Sequence, residues 1–178
     1  MCHCGQIPTR RVCARSAVSS VAMTDDLERF RKAKERAHDL YTAQPSIRCP
    51  YFQIQVVLNS DGFHHLQFSA RRERNKREQM LKFRLLPLAL QVIRSSGTVQ
   101  EYRRLLGPFG TPSARDGSVR MKEVEYWGFV AIVGDKRIKI RTVLRRVGNG
   151  NVMFWSVMPY SKIKNGFQRM YTEGIEDE

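Results

Sequence analysis

The fold reading turns on residues 124–158, VEYWGFVAIVGDKRIKIRTVLRRVGNGNVMFWSVM. Three runs rich in β-branched and aromatic residues, Val124–Val133, Lys136–Val147 and Val152–Met158, are separated by Gly134-Asp135 and by Gly148-Asn149-Gly150-Asn151. Asn-Gly is the strongest short hairpin signature and Gly-Asp suits a II′ turn, so the stretch predicts a three-stranded meander. Tight loops set Val147 opposite Val152, Arg145 opposite Phe154 and Val143 opposite Ser156, with Val130 beside Lys139 and Gly128 beside Arg141. Side chains alternate between the two faces of a strand, so these registers sort the residues into two sets. One face holds Trp127, Phe129, Ala131, Ile138, Ile140, Thr142, Leu144, Met153, Trp155 and Val157, and is almost wholly apolar. The other holds Tyr126, Gly128, Val130, Lys139, Arg141, Val143, Arg145, Phe154 and Ser156. Two independently placed hairpins sort the same way.

An apolar sheet face needs a partner. Residues 75–94 supply one: a basic beginning, then Leu81, Phe83, Leu85, Leu86, Leu88, Leu90, Val92 and Ile93, a helix that is apolar nearly all round in its second half. Pro87 is expected to kink or interrupt it. Upstream, Thr24 or Asp25 can cap a helix to about Thr42, with Leu27, Phe30, Ala33, Ala37, Leu40 and Tyr41 as its stripe. Tyr51 to Leu58 reads as a strand and Asn59-Ser60-Asp61-Gly62 as the turn after it. Gly97 ends the long helix, and Thr98 with Glu101 forms a capping box opening a short helix to Leu106, followed by a loop over 107–118. The expected architecture is α+β: a twisted antiparallel sheet, the C-terminal meander plus the earlier strand, packed on a long apolar helix with an N-terminal helix beside it.

The ends are expected to be loose. Residues 1–22 lack periodicity and acids, and Met23 followed by Thr24-Asp25-Asp26 looks like a natural start. These 22 residues read as a disordered extension, with an Arg-rich transit peptide as the alternative. Cys2, His3, Cys4 and Cys13 have the wrong spacing for a zinc knuckle, so no metal is expected there. Residues 23–160 form one domain, and 161–178, ending in acids, a tail.

Charge restricts the partner. Thirty-one Lys and Arg against 17 Asp and Glu give a formal net charge of +14, which attracts polyanions. No run approaches the roughly 18 apolar residues that cross a bilayer, and both Trp fall in expected strands rather than on an interfacial helix, so no membrane partner is expected. RNA, met in the cytoplasm, is the leading partner. On the polar sheet face, Lys139, Arg141 and Arg145 can neutralise phosphates while Tyr126 and Phe154 stack on bases. A second cluster, Arg71, Arg72, Arg74, Lys76, Arg77, Lys82 and Arg84, opens the core helix. The plainer reading of such a face is a solvated outer surface.

Cleavage of RNA without a metal needs a base for the 2′-hydroxyl and an acid for the leaving 5′-oxygen, roles suited to His. His64 and His65 follow the Asp61-Gly62 turn, where a loop could present them. The strings GFHHL (62–66), REQMLKFRLLPLAL (77–90), GTVQEYR (97–103), YWGFVAIVG (126–134), RIKIR (137–141) and VGNGNVMFWSVMP (147–159) resemble toxin-type ribonucleases of the barnase–EndoU–colicin–RelE class, closest to their phage-associated branch. The resemblance implies a twisted sheet packed on helices with RNA on its exposed face. It implies His65, with His64 beside it, as acid or base. It implies Arg141, Lys139 and Arg145 on the phosphate, Ser156 hydrogen-bonded to it, and no cofactor. It implies an acidic antitoxin protein as a second partner. The meander lacks a Glu on its cationic face, which departs from the barnase pattern. A non-catalytic RNA- or DNA-binding protein, or an assembly protein of a mobile element, is the alternative.

Overall fold

The computed structural model describes residues 1, 16–69, 72–135, 137–164 and 167–170. A first helix, α1 (Ser16–Ala43), begins before the expected boundary at Met23, because no Gly or Pro lies between Ser16 and Met23 to stop it. Thr24 and Asp25 therefore sit inside the helix instead of capping it. The region expected as one strand over 51–58 is a hairpin, β1 (Ser46–Cys49) and β2 (Ile54–Val57), paired Cys49 to Ile54. Pro50 lacks the N–H a continuing strand would use, and the turn closes through Gln53 at φ 58°.

Asn59-Ser60-Asp61-Gly62 is a helix start rather than a free turn. The Asn59 side chain accepts a hydrogen bond from the Gly62 N–H at 3.0 Å, capping α2 (Ser60–Gln67). Asn75 does the same for α3 (Lys76–Ser95), accepting from the Glu78 N–H at 2.9 Å. Helix α3 runs through Pro87 without interruption, and Phe83, Leu86, Leu90 and Ile93 join Trp127, Phe129, Ile140 and Leu144 in the main core.

The expected capping-box helix after Gly97 is instead β3 (Glu101–Phe109), paired antiparallel with β4 (Arg120–Val133) from Glu101–Gly128 to Phe109–Arg120. Strand β4 is 14 residues long. Its outer edge would present unpaired backbone groups, and pairing them outweighs a short local helix preference. Strands β5 (Ile138–Val147) and β6 (Met153–Pro159) complete a six-stranded sheet of order β1-β2-β6-β5-β4-β3. The sheet is mixed, not purely antiparallel, because β2 joins β6 in parallel at Val57–Met153. The C-terminal segment expected as a loose tail carries a further hairpin, β7 (Ser161–Lys164) and β8 (Phe167–Met170). No helix among the described residues is long and apolar enough to cross a membrane.

Two register facts govern the face residues. Between β4 and β5 the pairing is Val133–Ile138 and Val130–Arg141, two residues away from the tight-turn register, so every side chain keeps its expected face. Between β5 and β6, Val143 pairs with Ser156 as expected, but Leu144 pairs with Phe154, leaving Trp155 as an extra residue in a bulge. The bulge exchanges two aromatic side chains. Phe154, expected beside the cations, is fully buried in the main core, and Trp155 packs on the other face with Tyr126, Val143 and Met158.

Candidate functional site on the cationic sheet face

The site forms where the outer edge of β6 is left uncovered by β2. Helix α2 lies against that edge, and Gly62 permits the approach: a Cβ there would collide with the Phe154 carbonyl oxygen and the Tyr41 hydroxyl. Burial first, and the nearby Asp61 carboxylate second, push the Tyr41 phenol up from its ordinary value. One turn beyond Gly62, the His65 ring stacks on Trp155 with centroids 4.0 Å apart and planes 20° apart. From α3, Lys82 reaches the same edge, its Nζ donating to Ser156 Oγ at 2.8 Å and to the Val157 carbonyl at 3.1 Å. His65 and Lys82 are each 6% exposed.

Strand β5 supplies the cations in a row. Arg145 Cζ lies 4.2 Å from the Trp155 ring centre and 5.6 Å from that of Tyr126. Among the described residues no carboxylate pairs with Arg145. Arg141, only 2% exposed, donates to Glu101 Oε2 at 3.3 Å. That carboxylate arrives from β3, and its route explains Gly128: a Cβ at 128 would stand 3.0 Å from the Glu101 Cβ. The space that Gly128 leaves on this face is filled by Glu101. The cationic face thus does carry a Glu, contributed by a strand outside the meander. Lys139 is exposed, with Nζ 4.1 Å from the Tyr160 ring centre, and Arg141 Cζ lies 5.9 Å from the same ring.

His65, Arg141, Arg145, Lys139, Tyr126 and Ser156 share this face. His64 does not: it stacks on Phe68 at 4.3 Å, because adjacent helical residues point about 100° apart. Arg74 is turned to the backbone, its Nε donating to the His65 carbonyl at 3.4 Å, so it supports α2. Lys76 pairs with Glu73 at 3.1 Å and lies over Phe30 at 4.8 Å, on the α1 side. Arg71, and the thiols and imidazole of residues 2–13, lie outside the described residues. Sequence reasoning missed Lys82, Trp155 and Glu101 as members of this site. A signal existed for Lys82, a cation on the same helical stripe as Gln79, Phe83 and Leu86.

A second acid lies toward the other side of the sheet. Burial alone would raise the Glu125 carboxyl, but hydrogen bonds from Tyr102 Oη (2.7 Å) and Arg146 Nε (2.7 Å) outweigh it and hold it below the ordinary carboxylate value. The same bond raises the Tyr102 phenol.

Fold and site together define an α+β protein with a basic, aromatic-lined sheet face, where a buried imidazole and a buried ammonium meet the edge of β6 and two arginines rise from the neighbouring β5. No family model, curated protein or solved structure matches the chain.

Proposed function

We propose that this chain is a metal-independent endoribonuclease of toxin type, acting in the cytoplasm and related to the barnase–EndoU–colicin–RelE class through its phage-associated branch. The observation that carries the reading is Trp155. One indole packs against both the His65 ring and the Arg145 guanidinium, 4.0 and 4.2 Å from its ring centre, so a proton-transfer group and a cation with no carboxylate partner among the described residues are gathered on the same side chain. His65 serves as acid or base, Arg145 holds the phosphate, and Lys82 fixes the Ser156 hydroxyl that hydrogen-bonds it. Arg141 orients Glu101, which is the second proton-transfer group the reaction requires. Lys139 extends the cationic track beyond Tyr160. The apolar stripe of α3 beneath the sheet supports the layered arrangement of that class, and an acidic antitoxin is the expected neutralising partner.

One feature favours a second reading, a non-catalytic RNA-binding protein: the His65 ring is 6% exposed, little for a group that must meet its substrate. Incubation of the purified protein with labelled tRNA and a short mRNA in EDTA separates the two. The expected result is discrete cleavage, lost in His65→Ala and in Arg145→Ala, each checked for folding by circular dichroism. RNA that is bound but left intact by the wild type sinks the catalytic assignment.

A further inference from the structure

Next to Arg145 the same face opens into a cavity of about 510 Å³ with an unusual lining for a polyanion site. Its walls include Pro108 and Phe109 from the end of β3, Lys122 from β4, Asn149 and Gly150 from the β5–β6 turn, and Asp61 from α2. Phe109 is 44% exposed, and the Lys122 ammonium sits 4.1 Å from its ring centre. An exposed ring held by a cation is a stacking platform, and every base has a face to offer it. Lys122 and Arg145 suit phosphates. Asp61 does not: a carboxylate beside a phosphate track repels it. The two chemistries are reconciled when the group entering beside Asp61 is the neutral, N–H-bearing edge of a base. Asn149 adds an amide able to donate and accept at that edge.

We propose that this cavity is a base subsite that takes one unpaired nucleotide next to the scissile phosphate, stacking it on Phe109 and reading its exocyclic amine with Asp61. The proposal rests on the nuclease reading and adds a substrate class to it: single-stranded RNA carrying an amino base, adenine or cytosine as against uracil, at that position. Uracil has no exocyclic amine and offers only an N3–H flanked by two carbonyl oxygens that repel a carboxylate, so Asp61 selects against it. The cavity volume falls in the range of small-molecule sites, large enough for a nucleotide and too small for a duplex.

Fluorescein-labelled 2′-O-methyl 8-mers of A, C and U, which bind but lack the attacking hydroxyl, test it on the full chain by anisotropy. Wild type is expected to bind A and C 8-mers several-fold more tightly than U. Phe109→Ala should weaken all three by roughly 5- to 100-fold, and Phe109→Trp should restore binding. Asp61→Asn retains a side chain suited to the first helical turn, and it should bring U level with A and C. Equal affinities for A, C and U in wild type, or a preference that survives Asp61→Asn unchanged, overturns the subsite. Cleavage of natural RNA in EDTA, measured in parallel, distinguishes the two failures. Cleavage that persists without base preference overturns this inference alone, whereas base-selective binding without cleavage overturns the nuclease reading alone.

Discussion

Arg141 and Arg145 stand four residues apart on one strand and point from one face, yet they live in different surroundings. Arg141 is buried against Glu101, with Tyr160 near it. Arg145 lies against Trp155 and Tyr126 and, among the described residues, forms no ion pair with a carboxylate. The difference comes from their neighbours across the sheet. Gly128 lets Glu101 cross β4 toward Arg141, whereas Tyr126 stands opposite Arg145 and offers only a ring. A cation with an internal counter-charge holds a structure together; a cation supported by aromatic rings keeps its charge for a ligand.

The sharpest way to break this contrast is Arg141→Ala. Arg141 is buried but the Glu101 left behind is a third exposed and keeps part of its solvation, so a loss of about 2–3 kcal/mol, at or below that of a fully buried pair, is expected in urea unfolding. A loss under about 1 kcal/mol would mean that the pair is a surface bridge in effect. Next comes Gly128→Ala. The added methyl presses on Glu101 and should cost about 1–3 kcal/mol, and the double variant with Arg141→Ala should lose less than the sum of the two. Third is Glu125→Gln, which tests a buried carboxylate whose cationic partner Arg146 is partly exposed. Because the Glu125 carboxyl is held below its ordinary value, its contribution is present above that value and fades as pH falls through the lowered one. The variant should be about 1–2 kcal/mol less stable at neutral pH, and the two melting curves should converge in acid. The smallest effect on folding belongs to Arg145→Ala, about 0.5 kcal/mol or less. Its mark should instead be on RNA, with the slope of log affinity against log salt reduced by about one.

What the sequence made legible follows the same physics. Helix α3 could be read because Asn75 caps it and its apolar run is long. The cations of β5 could be placed because alternation survives a slip of two residues, as between β4 and β5. A slip of one is invisible to a pattern of alternating side chains, and the Trp155 bulge is such a slip; it put Phe154 in the core and Trp155 in the site. Strand β3 was obscured by a local capping signal that yielded to the unpaired edge of β4. Lys82 is marked only as a cation on an apolar helical stripe, and Glu101 joins the site from a distant segment, which no local pattern could announce.

The single Val57–Met153 pair between β2 and β6 has a wider consequence. A continuous sheet insulates its two sides, since a tight ladder leaves no passage for a side chain. Here the ladder is interrupted just below that pair, and Lys82 comes through the opening from the helical layer to Ser156. The molecule therefore has a window between its back and its front. A shift of α3 behind the sheet would be carried to Ser156 on the cationic face by the Lys82 side chain.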